Sequence, residues 1–136
     1  MTYTKTNWAN GVPPPISAAN LQNIEDAIET IDNIFDISTD TAITAAGGIT
    51  VTKGVMRVLG NGGAVDITAN PQIVAGTDGQ RVIIQGTNDT NTVKIDDGTG
   101  VVLTSGVSFV VGKNDIIEFM YDSGESAWIE LRRADN

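Results

Sequence analysis

The 136-residue chain contains no histidine and no cysteine. Without His it lacks the usual general acid or base near neutral pH and the commonest metal ligand. Without Cys it has no disulfide framework, thiolate metal site or thiol nucleophile. A Ser-His-Asp or Cys-His site therefore cannot be assembled. Aromatic residues make up only 5%. No apolar run approaches the roughly 20 residues that span a bilayer as a helix, and Met1 to Gly11 carry no apolar stretch of the signal-peptide kind. Positive charge is also scarce: 8 Lys and Arg face 17 Asp and Glu, a net charge of −9. Phosphate backbones and anionic lipid repel such a chain, so neither nucleic acid nor a membrane is expected as a partner. These absences predict a non-enzymatic protein with no cofactor and no signal peptide.

What is present divides into three segments. Residues 1–16, MTYTKTNWANGVPPPI, show neither helical nor strand periodicity. Asn10-Gly11 marks a turn, and Pro13 to Pro15 favour an extended polyproline-like run. The segment holds Tyr3, Trp8, Pro14 and Ile16 with too few apolar neighbours to bury them locally. It reads as a docking arm that orders against a partner, or as a disordered leader.

Residues 17–36, SAANLQNIEDAIETIDNIFD, read as a helix with Ser17 or Asn20 as N-cap. Glu25 and Asp26 are expected early enough to suit the helix dipole. Leu21, Ile24, Ile28, Ile31 and Phe35 recur in steps of three and four, the heptad seam of a coiled coil. Leu or Ile at a with Ile at d favours three or four strands over two, so these five residues are the expected trimer interface. The alternative is a single amphipathic helix lying on its own β domain. Two heptads are short, and the β region would have to share any trimer contact. Glu25, Asp26, Glu29, Asp32 and Asp36 have no basic residue among them; they read as a solvated acidic face or as a contact for a basic partner surface.

Residues 37–136 change period. Short β-rich runs are predicted at 49–53, 55–59, 64–68, 80–85, 92–96, 101–104, 107–111, 115–121 and 126–132, cut by Gly-, Asn- and Asp-rich turns. The expected body is an all-antiparallel β-sandwich or barrel-like domain. The last two runs form a hairpin in which Ile117, Phe119 and Tyr121 share one face; in its second strand Ala127, Ile129 and Leu131 alternate against Trp128, Glu130 and Arg132. No repeat of 20–50 residues stands out, which argues against a solenoid. Gly60 to Gly63 lie between strands and read as a turn, not a phosphate loop. Asp96 and Asp97 are adjacent, so their side chains diverge and make a poor acid–base pair. Asp78, Asp96, Asp97, Asp115 and Asp122 fall at turns, where calcium is the one plausible metal, but they lack EF-hand spacing and more simply bond their own backbone. Tyr121 and Trp128 are core or interface residues, or a weak candidate platform for a host-surface glycan.

One resemblance extends this reading. Tyr3-Thr4-Lys5-Thr6-Asn7-Trp8-Ala9-Asn10-Gly11, followed by Pro14-Pro15-Ile16-Ser17-Ala18-Ala19-Asn20-Leu21-Gln22-Asn23-Ile24-Glu25, resembles an N-terminal attachment module of tailed-bacteriophage appendage proteins. Its pattern, Y-x-K-x-x-W-x-N-G then P-x-I-x-A-x-N-L-x-x-I-E, occurs at the base of tail fibres, baseplate proteins and head fibres, and covers about a fifth of the chain. The Gly76–Gln80, Asp97–Val101 and Asp115–Phe119 stretches are similar, less specifically, to small β modules of phage structural proteins. The resemblance implies a virion protein on the outside of the particle, made in the host cytoplasm, a homotrimer attached to a capsid or tail structural protein through residues 1–16. The chain lacks the long shaft or large tip of a receptor-binding fibre. That favours a capsid decoration protein or short head fibre over the alternative, a short tail or baseplate fibre contacting the host.

Overall fold

A computed structural model describes residues 17–136; the expectations for Tyr3, Trp8, Pro14 and Ile16 lie outside the described residues. The chain divides into two compact units between Ile31 and Asp32. Helix α1 runs Ala18–Phe35. Ser17 caps it, its Oγ accepting from the Asn20 N–H at 3.1 Å. With that start, the first turn holds no acid. The expected dipole benefit of Glu25 and Asp26 is therefore corrected, since the effect fades beyond the first turn.

The last helical turn belongs to the β body. The Gly54 N–H donates to the Asn33 carbonyl at 2.7 Å and the Val55 N–H to Asp36 at 3.1 Å. Lys53 Nζ reaches Asn33 Oδ1 at 2.6 Å and Asp36 Oδ2 at 2.8 Å. The Lys53 bond, with the Ile37 N–H, holds the Asp36 carboxyl below its ordinary pKa. Gly54 is required by close approach: a Cβ there would lie 1.7 Å from the Ile34 carbonyl oxygen. Gly54→Ala is expected to cost about 2–3 kcal/mol, as a clash against backbone that cannot rotate away, read as a lower urea midpoint with an unchanged slope.

Among the described residues, nine strands follow: β1 Thr41–Ile43, β2 Val55–Gly60, β3 Val65–Asp66, β4 Arg81–Gly86, β5 Val93–Ile95, β6 Val101–Val102, β7 Phe109–Val111, β8 Ile116–Asp122 and β9 Ala127–Ala134. They form a six-stranded sheet, β1-β2-β4-β8-β9-β6, and a three-stranded sheet, β3-β5-β7. The protein is thus mainly β with one helix. The all-antiparallel expectation is corrected, because β1–β2, β2–β4, β3–β5 and β6–β9 are parallel. Parallel neighbours need a long crossover between them. Here residues 61–80, which carry β3 on the second sheet, return the chain from β2 to β4.

That path generates a repeat. Val55 stands opposite Ile83 on one sheet and Val65 opposite Val93 on the other, both 28 residues apart. Ile49 bridges Ile73 in parallel at the entry to the same two turns of chain. The body therefore contains two stacked rungs of parallel strands. The hairpin β8–β9 and strand β7 then close them with antiparallel pairing. The predicted run 49–53 yields only the single Ile49 bridge, its far end being committed to the helix junction.

The core lies between the sheets. Met56 and Val58 of β2, Val82 and Ile84 of β4, Ile117 and Phe119 of β8, Val93 and Ile95 of β5, and Trp128 of β9 are all buried there. Their alternation with less buried neighbours along each strand is the period-2 signature that the sequence carries. One polar side chain joins them: Gln72 is 1% exposed. Its Oε1 accepts from Asp96 N at 2.8 Å, and its Nε2 reaches Thr99 Oγ1 at 2.6 Å and Asp96 O at 2.8 Å. A buried amide satisfied at both ends fixes the loop at 96–99 without a desolvation penalty.

Candidate functional site

Among the described residues, α1 carries an uncovered apolar stripe. Leu21, Ile24, Ile28 and Ile31 are 50%, 54%, 61% and 58% exposed. Water solvates a face that contiguous helical spacing has made apolar, which is where a soluble protein places an association surface. Phe35 ends the helix, and its side chain lies outside those described. Burying the exposed half of each residue is worth about 1 kcal/mol per side chain. Glu25, Asp26 and Glu29 on the same helix are exposed.

The aromatic pair is not a surface. Trp128 is 0% and Tyr121 7% exposed, their rings meeting edge-on at 5.3 Å. Trp128 Nε1 donates to the Val74 carbonyl at 3.0 Å. The glycan-platform expectation for Tyr121 and Trp128 is corrected, since a sugar stacks only on an accessible ring face. In β9 the side chain facing inward beside Tyr121 is Trp128, and Ile129 faces out.

Alternation then breaks. Phe119 pairs with Glu130 and Glu118 with Arg132, leaving Leu131 as an extra residue in a bulge. Residues three apart point to opposite faces of a regular strand; the bulge brings Glu130 and Arg133 to the same one. They form an ion pair whose Glu130 side chain is 2% exposed. Arg133 Nε donates to Glu130 Oε1 at 2.6 Å. Its other nitrogens donate to the Val107 carbonyl at 3.1 Å, and the guanidinium stacks 4.9 Å from the Phe109 ring centre. Glu130 Oε2 also accepts from the Thr104 N–H at 2.7 Å. Arg133 and, to a lesser degree, the Thr104 N–H hold the Glu130 carboxyl below its ordinary pKa, against the effect of burial. A depressed carboxylate pKa stabilises the fold above its unfolded value, and that stability is lost as pH falls through the folded value. Urea midpoints of the parent chain are therefore expected to fall below about pH 4.5. The Glu130→Gln protein is expected to be about 1–2 kcal/mol less stable at pH 7, as for loss of charge-assisted hydrogen bonds at a part-buried site, with a flatter acid limb.

The turn carboxylates bond protein groups. Asp78 accepts from Ser123 N at 2.9 Å, Asp97 from Leu103 N at 2.7 Å, and Asp115 from Gly112 N at 2.7 Å and Asn136 N at 2.8 Å. Asp122 accepts from Gly124 N at 2.8 Å. Asp96 accepts from Ser108 Oγ at 2.6 Å and pairs with Lys94 at 3.0 Å, both lowering its pKa. Among the described residues no three acidic side chains converge as a metal site. Two open grooves stand out among the described residues. One of about 330 Å³ runs beside edge strand β1, lined by Thr41, Thr44, Thr50, Thr52 and Met56. The other, of about 520 Å³, lies over Thr104, Ser105 and the Glu130–Arg133 pair. Sequence reading missed the Glu130–Arg133 pair because only the bulge makes the two residues neighbours.

No family model matches the chain, and no curated protein does. A solved structure described as "Structure of a chaperone-substrate complex" is similar over 73% of this chain, with 18% identity and a TM-score of 0.42. The match covers 18% of that chain's own length.

Proposed function

We propose that the protein is a non-enzymatic structural component of a tailed-phage virion. In this reading it is a homotrimeric capsid decoration protein or short head fibre on the particle exterior, anchored through residues 1–16. The observation that carries the reading is the exposed heptad stripe Leu21, Ile24, Ile28 and Ile31. It overlaps the end of residues 3–25, whose Trp8, Asn10-Gly11 and Asn20-Leu21 spacings resemble the appendage attachment module. The lack of His and Cys and the ordinary protein bonds of the turn carboxylates favour a structural role over a catalytic one.

The arm's part can be tested separately. Trp8 seated in a pocket would act as an aromatic anchor. Three arms on one trimer would bind by avidity, because docking one raises the effective concentration of the other two. Protein lacking residues 1–16 is expected to trimerise and keep its β spectrum, yet fail to bind particles stripped of the native protein. Decoration equal to that by the full chain would remove the arm from the attachment role.

A further inference from the structure

We infer that the outer face of the six-stranded sheet is a contact between copies of this chain in the proposed trimer. The inference rests on the trimer reading above and assigns it a surface.

The face follows from register. Side chains paired across neighbouring strands point the same way, so one row runs Ile37, Val55, Ile83, Glu118, Arg132. A second runs Arg81, Met120, Ile129, Val102. Their strand neighbours Met56, Ile84, Ile117 and Trp128 point into the core, so the rows point away from it. Ile37 is 56% and Val102 46% exposed. A sheet face left to water is normally polar. Here apolar residues occupy most positions in both rows.

Three observations select a second copy as occupant. The first is continuity. The row begins at Ile37, two residues beyond the end of α1, and Ile34 in the last helical turn is 55% exposed. An apolar surface that starts on the helix therefore continues, within the β body, onto the sheet. The second is charge. In a chain of net −9, this face holds Arg57, Arg81 and Arg132 against Glu118 and, at the hairpin end, Asp122. Arg132 Nε donates to Glu118 at 2.6 Å, and Arg81 lies 3.9 Å from the same carboxylate. A self-association surface must avoid like charge, and this face pairs its central acid with two bases. The third is size. A stable interface buries about 800 Å² per partner, whereas two heptads of helix offer a span of about 25 Å. The helix alone is too small, and the sheet supplies the missing area.

The chain has no native Cys, so single-cysteine probes are clean. Met120→Cys lies on the face; Val110→Cys lies on the outer side of the three-stranded sheet, 49% exposed, as control. A short bismaleimide is expected to join the Met120→Cys chains into covalent dimers, the limit for one thiol per chain, at least five-fold more than the Val110→Cys chains. Ile83→Lys is expected to raise the trimer dissociation constant at least ten-fold with an unchanged circular dichroism spectrum. If the parent sediments as a trimer while Met120→Cys cross-links no better than the control, the face assignment is overturned and the trimer reading stands. The same holds if Ile83→Lys assembles normally, which would leave the face to a partner of another kind. If the parent sediments as a monomer, the trimer reading fails and the face assignment with it.

Discussion

On the proposed trimer reading, the Ile28→Asp protein is expected to sediment as a monomer at micromolar concentrations where the parent chain is expected to sediment as a trimer. Ile28 sits at an a position midway along the stripe, flanked one turn away by Ile24 and Ile31, and is 61% exposed in the single chain. Its substitution therefore disturbs little within one protomer. In a three-stranded seam it would place three carboxylates on one axis, each desolvated and facing two like charges. Loss of affinity by at least a hundred-fold is expected, while the β body keeps its urea midpoint at matched protomer concentration. Salt gives an independent check. The acids on α1 have no basic partner in the helix, so parallel packing crowds negative charge on its flanks. Raising salt from 50 to 500 mM shortens the screening length to a few ångströms and is expected to tighten parental assembly. A trimer that weakens with salt would instead point to attractive ion pairs between copies, and a parallel helix seam would not be its main contact.

The helix and the closing hairpin were legible because each carries a strong local period. Ser17 and the 3-4 spacing fix α1 to within a residue at each end. The alternation Ile117, Phe119, Tyr121 gives the inward face of β8. The parallel pairs were not legible, since period 2 says which side a residue faces and nothing about the direction of its neighbour. The 28-residue repeat was hidden for a related reason. Over 55–68 against 83–96 only Val65/Val93 and Ile67/Ile95 are identical. Stacking conserves inward apolarity, as in Met56 and Ile84, and leaves the turns free to differ. Strand β1 has only three residues, too few for any period. At the candidate sites, the apolar stripe needed only the helix period, whereas the burial of Trp128 depended on which side of β9 met the core. The hairpin reading set Trp128 and Glu130 apart from Ala127 and Ile129 correctly but could not see the bulge at Leu131, which ends the alternation.

Trp128→Ala is expected to cost the β body about 3–5 kcal/mol. Trp128 is the largest fully buried side chain among the described residues, and its indole fills the space beside Gly76, where a Cβ would come within 2.7 Å of the ring. Truncation to Ala deletes the ring, its edge-on contact with Tyr121 and the hydrogen bond to the Val74 carbonyl. Large aromatic truncations of this kind cost about 3–5 kcal/mol, against a typical total of about 5–15 kcal/mol for a domain. Trp128→Phe separates the contributions. It retains an aromatic ring but leaves the Val74 carbonyl without its donor and a smaller void, so a loss of about 2–3 kcal/mol is expected. Urea midpoints followed by far-ultraviolet circular dichroism, at fixed protomer concentration so that assembly does not shift them, would rank parent above Trp128→Phe above Trp128→Ala. A Trp128→Ala protein as stable as the parent would mean that the indole is not packed in the core. The ring would then be free to act at a surface, and the correction of the glycan-platform expectation would itself be reversed.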